Sequence, residues 1–148
     1  MKRMRIQQGL AMVEFTIILP VLLILLLSIL ELGRAFYLYS ELEKLSRDST
    51  RYLANVIGSG TTGVYSLTDS QVANASNLIV YGTISTGNDS LLPSLTTDHV
   101  SVTFSNNYVQ VEILYPFQPV LTTLPNFFSD DDISLNFTMT SSYTMRVL

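Results

Sequence analysis

The chain has 148 residues, of which 47% are hydrophobic and 14% charged, with a formal net charge of -4 and no cysteine. This length favours one compact domain plus one membrane segment. An acidic chain offers no basic surface for nucleic acid, whose phosphates require clustered Lys and Arg, and without cysteine there are no disulfides or thiolate metal sites. We therefore expect no nucleic-acid partner and no cysteine-based site.

The first part of the chain is a short basic stretch followed by a long apolar run. Basic residues stand at Lys2, Arg3 and Arg5, and residues 10–32 follow as the apolar segment. As a helix, this segment would rise about 35 Å, enough to cross a hydrocarbon core of roughly 30 Å. Because basic residues favour the cytoplasmic side, we predict a single-pass helix in the inner (cytoplasmic) membrane with a cytoplasmic amino terminus.

Two ordinary explanations compete for this segment. A secretory signal peptide should end in small residues of the A-x-A type, but the run continues into Leu30-Glu31-Leu32-Gly33-Arg34. An uncut signal anchor fits the hydropathy, but it does not account for Glu14, since an unpaired carboxylate near the end of an apolar run is costly.

The residues Gly9-Leu10-Ala11-Met12-Val13-Glu14-Phe15 resemble the cleavage site of type IV pilin precursors, which prepilin peptidase cuts after the glycine. Phe15 resembles the variant of the Flp/Tad (tight adherence) pilus system. Further residues extend the resemblance to TadE-like pseudopilins over residues 9–56: Pro20, Glu31-Leu32-Gly33-Arg34, Arg47 and Arg51-Tyr52.

This resemblance implies a minor pseudopilin, a non-enzymatic structural and assembly subunit of a type IVb pilus that serves adhesion. It implies four partners: prepilin peptidase, other pilin or pseudopilin subunits, the pilus assembly platform and the lipid bilayer. It implies no cofactor, no metal and no small-molecule substrate. The alternative is an uncut, single-pass membrane-anchored binding module with a periplasmic β-rich domain.

The spacing of the processing residues has a chemical reason. Gly9 leaves the backbone accessible to a membrane protease, and cleavage after it would create a new amine on Leu10. Glu14 lies one helical turn beyond, so its carboxylate can neutralise that ammonium within a subunit or between neighbours. Otherwise Glu14 is an interfacial side chain that reaches the cytoplasmic boundary. Pro20 cannot donate to the Thr16 carbonyl and predicts a kink, either a simple bend or a hinge.

The rest of the chain predicts a small exported domain. An apolar stripe predicts that the helix continues over residues 33–57 and packs on the protein's own body: Leu38, Leu42, Leu45, Ser49, Tyr52 and Val56. A second helix is predicted between Leu67 and Tyr81, with Thr68 and Gln71 as a capping box and Gly82 at its end. Residues 82–97 have the composition of a surface loop.

Alternating apolar residues then predict three strands. Val100 to Phe104 and Val109 to Tyr115 form a hairpin around a Ser105-Asn106-Asn107 turn, Pro116 and Pro119 close its second strand, and a third strand runs from Ile133 to the terminus. The predicted class is α+β: a long amino-terminal membrane-spanning helix followed by a small three-stranded antiparallel sheet, pilin-like in architecture. The expected divisions are a leader (1–9), a transmembrane helix (10–32), its extramembrane continuation (33–57) and a periplasmic or extracellular domain (58–148).

Two further groups invite a catalytic or metal interpretation. His99 stands beside Asp98 at the start of a strand, but no nucleophile motif or second histidine accompanies it, which favours a strand-edge histidine. Asp130, Asp131 and Asp132 offer oxygen ligands for calcium. They are consecutive, however, and lack the spaced ligands of a calcium loop, which favours a solvated turn.

Overall fold

The computed structural model describes residues 4–59, 65–120, 122–124 and 133–147. Its elements are α1 (Met4–Gly58), α2 (Asp69–Tyr81), a 3₁₀ turn (Thr97–His99), β1 (Val100–Ser105), β2 (Tyr108–Phe117), β3 (Thr123–Leu124), β4 (Ile133–Ser134) and β5 (Phe137–Arg146). The chain divides into two compact units, Met1–Phe36 and Tyr37–Leu148. The predicted α+β class is confirmed, because a long apolar amino-terminal helix precedes a small three-stranded antiparallel sheet.

The main sheet of the second unit has the order β1-β2-β5 and is antiparallel throughout. Ser105 lies opposite Tyr108, and the two residues between them, Asn106 and Asn107, have φ values of 52° and 63°. Asparagine tolerates this left-handed region better than most residues, and two such residues suit a tight hairpin turn. The predicted hairpin and its turn are confirmed.

The third strand of the main sheet starts later than the sequence predicts. We expected it from Ile133, but Ile133–Ser134 forms the separate strand β4, which pairs with β3. The long strand β5 begins at Phe137, opposite Phe117, the last residue of β2, and the two rings are 5.0 Å apart. In this register, the residues before Phe137 lie beyond the end of β2 and have no partner on it. The predicted strand is therefore split into β4 and β5.

The prediction that Pro116 closes β2 is wrong. Pro116 lies inside β2, opposite Thr138 of β5. Since β1 accompanies β2 only as far as Ile113, β5 is the one strand that pairs with β2 at Pro116 within the described ranges. Proline is tolerated at strand positions whose missing N–H faces away from a paired strand. The second strand therefore passes through Pro116 and ends at Phe117.

The core of the second unit is built on one face of β2. Alternate side chains of this strand are buried, as predicted for Val109, Val111, Ile113 and Tyr115, and Phe117 continues the pattern beyond the predicted end of the strand. The two helices add further buried apolar side chains: Leu38, Leu42, Leu53, Ile57, Ala75, Ile79 and Val80. Burying each large apolar side chain contributes roughly 1.5–3 kcal/mol, so this layer supplies most of the stability of the unit.

The buried face of α1 in the second unit differs in part from the predicted stripe. Leu38, Leu42 and Ser49 are buried, but Leu45, Tyr52 and Val56 are only partly buried. The inner face is completed by residues that the predicted stripe omits: Ser46, Thr50, Leu53, Ala54 and Ile57. The buried face of α1 is therefore rotated about the helix axis relative to the predicted stripe, and it includes small hydroxyl side chains.

These hydroxyls connect α1 to β5. Ser46 Oγ lies 3.0 Å from Ser141 Oγ. Thr50 Oγ1 lies 2.6 Å from the Ser46 carbonyl oxygen and 3.3 Å from the Tyr143 carbonyl oxygen. We call Ser46, Thr50 and Ser141 the hydroxyl seam. Because all three side chains are small, the helix backbone can approach the strand closely while the buried polar atoms remain hydrogen-bonded.

The limits of α2 agree with the prediction. The Gln71 N–H donates to Thr68 Oγ1 at 3.4 Å, and the Thr68 N–H donates to Gln71 Oε1 at 3.0 Å, which is a complete capping box. Gly82 follows the helix with φ of 73°, a left-handed conformation that glycine adopts without strain. Ser49 Oγ of α1 donates to the Ala75 carbonyl oxygen at 3.3 Å and joins the two helices.

The segment 82–97 is more than the surface loop that its composition suggests. Leu92 and Leu95 are buried, and the Tyr115 hydroxyl donates to the Pro93 carbonyl oxygen at 2.8 Å. The composition predicted the irregular backbone correctly, but it did not show that two leucines turn inward and complete the core.

Candidate membrane and assembly segment

The first unit presents an apolar surface along α1. Large apolar side chains are exposed along most of the run, from Leu10 to Leu32. By length and composition, this helix is able to cross a membrane. Contiguous apolar surface of this kind is unfavourable in water and is typical of contact with lipid or with another chain.

The predicted processing residues all lie on α1. Leu10, Glu14 and Phe15 are exposed, and Glu14 lies one turn after Leu10, a rise of about 6 Å. Gly9 lies inside the helix, which begins at Met4, so the predicted leader does not end at a helix boundary. A Cβ atom at Gly9 would meet nothing within 4 Å. Packing within the chain therefore does not require glycine there, although glycine inside a helix costs about 1 kcal/mol relative to alanine.

The two hydroxyl side chains of the apolar run are hydrogen-bonded within the helix. Thr16 Oγ1 donates to the Met12 carbonyl oxygen at 2.7 Å, and Ser28 Oγ donates to the Ile24 carbonyl oxygen at 2.8 Å. Such internal bonds are required where lipid offers no partner. The helix continues through Pro20. The Thr16 hydroxyl thus donates to a carbonyl of the preceding turn. It does not replace the backbone N–H that Pro20 lacks and that would otherwise donate to the Thr16 carbonyl.

Two arginines of the motif, Arg34 and Arg47, are paired or packed. Arg34 Nη1 lies 3.9 Å from Glu31 Oε1, three residues earlier, and the Arg47 guanidinium carbon lies 5.5 Å from the centre of the Tyr143 ring. A partly exposed ion pair contributes less than about 1 kcal/mol, and a cation over an aromatic ring contributes a similar amount. These motif residues therefore have local structural roles.

Three exposed aromatic residues were missed by the sequence reasoning. Phe36, Tyr37 and Tyr39 lie shortly after the apolar run, which ends at Leu32, and all three side chains are exposed. The signal was available, since three aromatic residues in four positions at the end of a membrane segment are typical of the membrane–water interface.

The residues considered for catalysis or metal binding are His99 and the three consecutive aspartates. His99 ends the 3₁₀ turn just before β1, and its Nδ1 accepts from the Thr96 N–H at 3.2 Å, so it caps this turn. Asp130, Asp131 and Asp132 lie outside the described residues. In the part of the chain that is described, no three His, Asp or Glu side chains are grouped so that they could hold a metal ion.

Comparison with known proteins concerns this same segment. Residues 9–51 match the family model described as TadE-like protein. The amino-terminal segment is TadE-like. The match begins at Gly9, contains the whole apolar run and ends at Arg51, so the predicted resemblance is confirmed over these residues. No curated protein and no solved structure gives a significant match.

The match relates residues 9–51 to a family of the Tad pilus system. The family consists of structural pilus components and not of enzymes. Proteins of this family interact with other components of the pilus. The matched segment covers less than a third of the chain, and the sheet of the second unit lies outside it.

Proposed function

We propose that this chain is a minor pseudopilin of a Tad-type pilus, made as a precursor that prepilin peptidase cuts after Gly9. The observation that carries this proposal is the position of Glu14 inside a TadE-like apolar helix, one turn after Leu10. The chain then acts as a structural and assembly subunit and not as an enzyme.

Cleavage would change the charge balance at the start of the helix. Glu14 is the only charged residue between Gly9 and Leu30. Removing residues 1–9 takes away the basic leader and creates an ammonium group on Leu10. The mature segment then carries one positive and one negative group a single turn apart, and the two can pair within the subunit or with a neighbouring subunit. Pairing offsets the cost of placing the Glu14 carboxylate in or near lipid.

Gly9 provides separate support for the same proposal. Glycine destabilises a helix relative to alanine, and no neighbouring atom lies within 4 Å of where a Cβ atom would stand. A residue that the fold does not need is consistent with a requirement imposed by another protein. Recognition of the backbone by the peptidase supplies such a requirement.

The proposed arrangement in the cell follows from the charge of the leader. Residues 10–32 span the inner membrane, residues 33–57 continue the helix outside it, and residues 58–148 lie in the periplasm or on the pilus. The partners are prepilin peptidase, other pilin or pseudopilin subunits, the assembly platform and the bilayer. Pro20 provides a position where the helix can loosen when the subunit leaves the membrane.

Substitution of Glu14 tests the proposal. In cells that lack the native copy of this chain, we expect Glu14→Ala to insert into the membrane but to reduce surface pili about tenfold or more. The substitution leaves the Leu10 ammonium without its partner, and an unpaired buried charge costs roughly 3–5 kcal/mol. Glu43→Ala, which removes an exposed carboxylate from the same helix, is the matched control and should support normal pili. Pili are counted by electron microscopy, and insertion is measured by membrane fractionation.

Two results would contradict the proposal. Normal piliation with Glu14→Ala would remove the proposed ion pair. Normal piliation in cells without the chain would remove the assembly role itself.

A further inference from the structure

An aromatic cluster surrounds α1 immediately after the apolar run. Phe36, Tyr37 and Tyr39 are 67%, 65% and 43% exposed, whereas Leu38 among them is buried at 7%. Successive helix residues are about 100° apart, so the three aromatic side chains leave the helix in three directions and Leu38 takes the remaining one. We call Phe36, Tyr37 and Tyr39 the aromatic belt.

The core of the second unit does not account for the belt. Single exposed apolar residues are ordinary on protein surfaces, but three large ones on one helical turn call for an explanation. The core uses Leu38 from this turn and leaves the aromatic side chains exposed. Along the chain, the belt follows the exposed apolar side chains of residues 10–32 after three residues, Gly33-Arg34-Ala35.

The distance along the helix places Phe36 at a defined depth. The apolar run lies between Glu14 and Glu31, and its centre is near Leu22. From Leu22 to Phe36 a helix rises about 21 Å. Half of a hydrocarbon core is about 15 Å and half of a bilayer with its headgroups is roughly 20–22 Å. Phe36 therefore falls in the headgroup layer when the run is centred in the membrane.

The direction of helical side chains brings the two tyrosines to the same layer. Tyr37 and Tyr39 start slightly farther from the membrane centre, but side chains on a helix lean toward its amino terminus. Their rings thus lean back toward the bilayer, which brings their hydroxyls within reach of the hydrated headgroups. Tyrosine is favoured at this boundary because one end of the ring is apolar and the other polar.

We propose that the aromatic belt binds the lipid headgroup layer of the translocated leaflet and fixes the depth of the helix in the membrane. The inference rests on the membrane-spanning part of the proposed function, but it depends neither on cleavage after Gly9 nor on a pilus. The Glu31–Arg34 pair one turn earlier carries no net charge and is compatible with this boundary.

The chain contains no tryptophan, so single substitutions provide depth probes. The full chain would be placed in phosphatidylcholine vesicles whose lipids carry bromine, a fluorescence quencher, either close to the headgroup or near the bilayer centre. Phe36→Trp and Tyr37→Trp probe the belt, and Leu22→Trp probes the middle of the run. Tyr108→Trp, at an exposed position beside the hairpin turn, is the control outside the membrane.

We expect the belt probes to be quenched at least about twofold more by bromine near the headgroup than by bromine at the centre. Leu22→Trp should show the opposite preference, and Tyr108→Trp should be quenched by neither lipid. Belt probes that behave like Tyr108→Trp, or that are quenched mainly at the centre, would overturn the inference while Leu22→Trp still confirms the span. If Leu22→Trp itself escapes quenching by the central bromine, the membrane-spanning part of the proposed function fails as well.

Discussion

Small hydroxyl side chains hold helix α1 against strand β5. Ser46 Oγ lies 3.0 Å from the Glu43 carbonyl oxygen, which can only accept, and 3.0 Å from Ser141 Oγ, which can donate or accept. Removing the Ser46 hydroxyl would leave the buried Ser141 hydroxyl without this partner. Removing the Ser141 hydroxyl would leave Ser46 with the Glu43 carbonyl still available. The two serines are therefore not equivalent.

This asymmetry predicts unequal effects on stability. We expect Ser46→Ala to lower the free energy of unfolding by about 1–3 kcal/mol and Ser141→Ala by about 1 kcal/mol or less, since an unsatisfied buried donor costs more than a lost bond. The double variant should cost less than the sum of the two. Chemical denaturation of the full chain in detergent measures all three.

Ser142→Ala is the matched control, because Ser142 is exposed on the same strand and should change stability by less than about 0.5 kcal/mol. Equal and additive losses for Ser46→Ala and Ser141→Ala would show that the two hydroxyls do not share a hydrogen bond.

The hydroxyl seam also marks a limit of sequence reasoning at single residues. An apolar period on α1 selects Leu45, Tyr52 and Val56, because serine and threonine count as polar in such a pattern. Ser46 and Thr50 are buried for a non-local reason, since their partners, Ser141 and the Tyr143 carbonyl, lie more than ninety residues away. Only the structure brings these atoms together.

Among the elements, α2 was predicted closely because its limits are set locally. The capping box joins residues three apart, and Gly82 stops the helix through its own backbone conformation. Strand limits depend instead on a partner. The start of β5 is fixed by the end of β2, and the passage of β2 through Pro116 depends on where β1 stops. The sequence around Ile133 and Pro116 does not contain that information.

The cap of α2 gives a prediction for this element. We expect Thr68→Ala to lower the free energy of unfolding by about 1 kcal/mol, because the first turn loses a side-chain acceptor. Thr68→Ser keeps the acceptor and is the control, with an expected change of only a few tenths of a kcal/mol. Denaturation of the full chain and the helical signal in circular dichroism measure the effect. An unchanged stability for Thr68→Ala would show that the cap does not support α2.

At the scale of the whole molecule, the two units differ in how much of their structure the sequence predicts. The first unit is an exposed apolar helix whose properties follow from composition, length and flanking charge, and its TadE-like character was identified from motif residues beginning at Gly9. The second unit depends on long-range pairing, so the sequence predicted its class and hairpin but not its buried hydroxyls or the inward turn of Leu92 and Leu95. The aromatic belt was visible in the sequence and was overlooked.

In the proposed function, proteolysis supplies the positive partner of Glu14. The most direct test is the mass and amino-terminal sequence of the full-length product extracted from membranes of the producing cells, compared with membranes of cells that lack prepilin peptidase. We predict a chain that begins at Leu10 in the first case and at Met1 in the second. A chain that begins at Met1 in both would contradict the claim and would favour an uncut, membrane-anchored binding module.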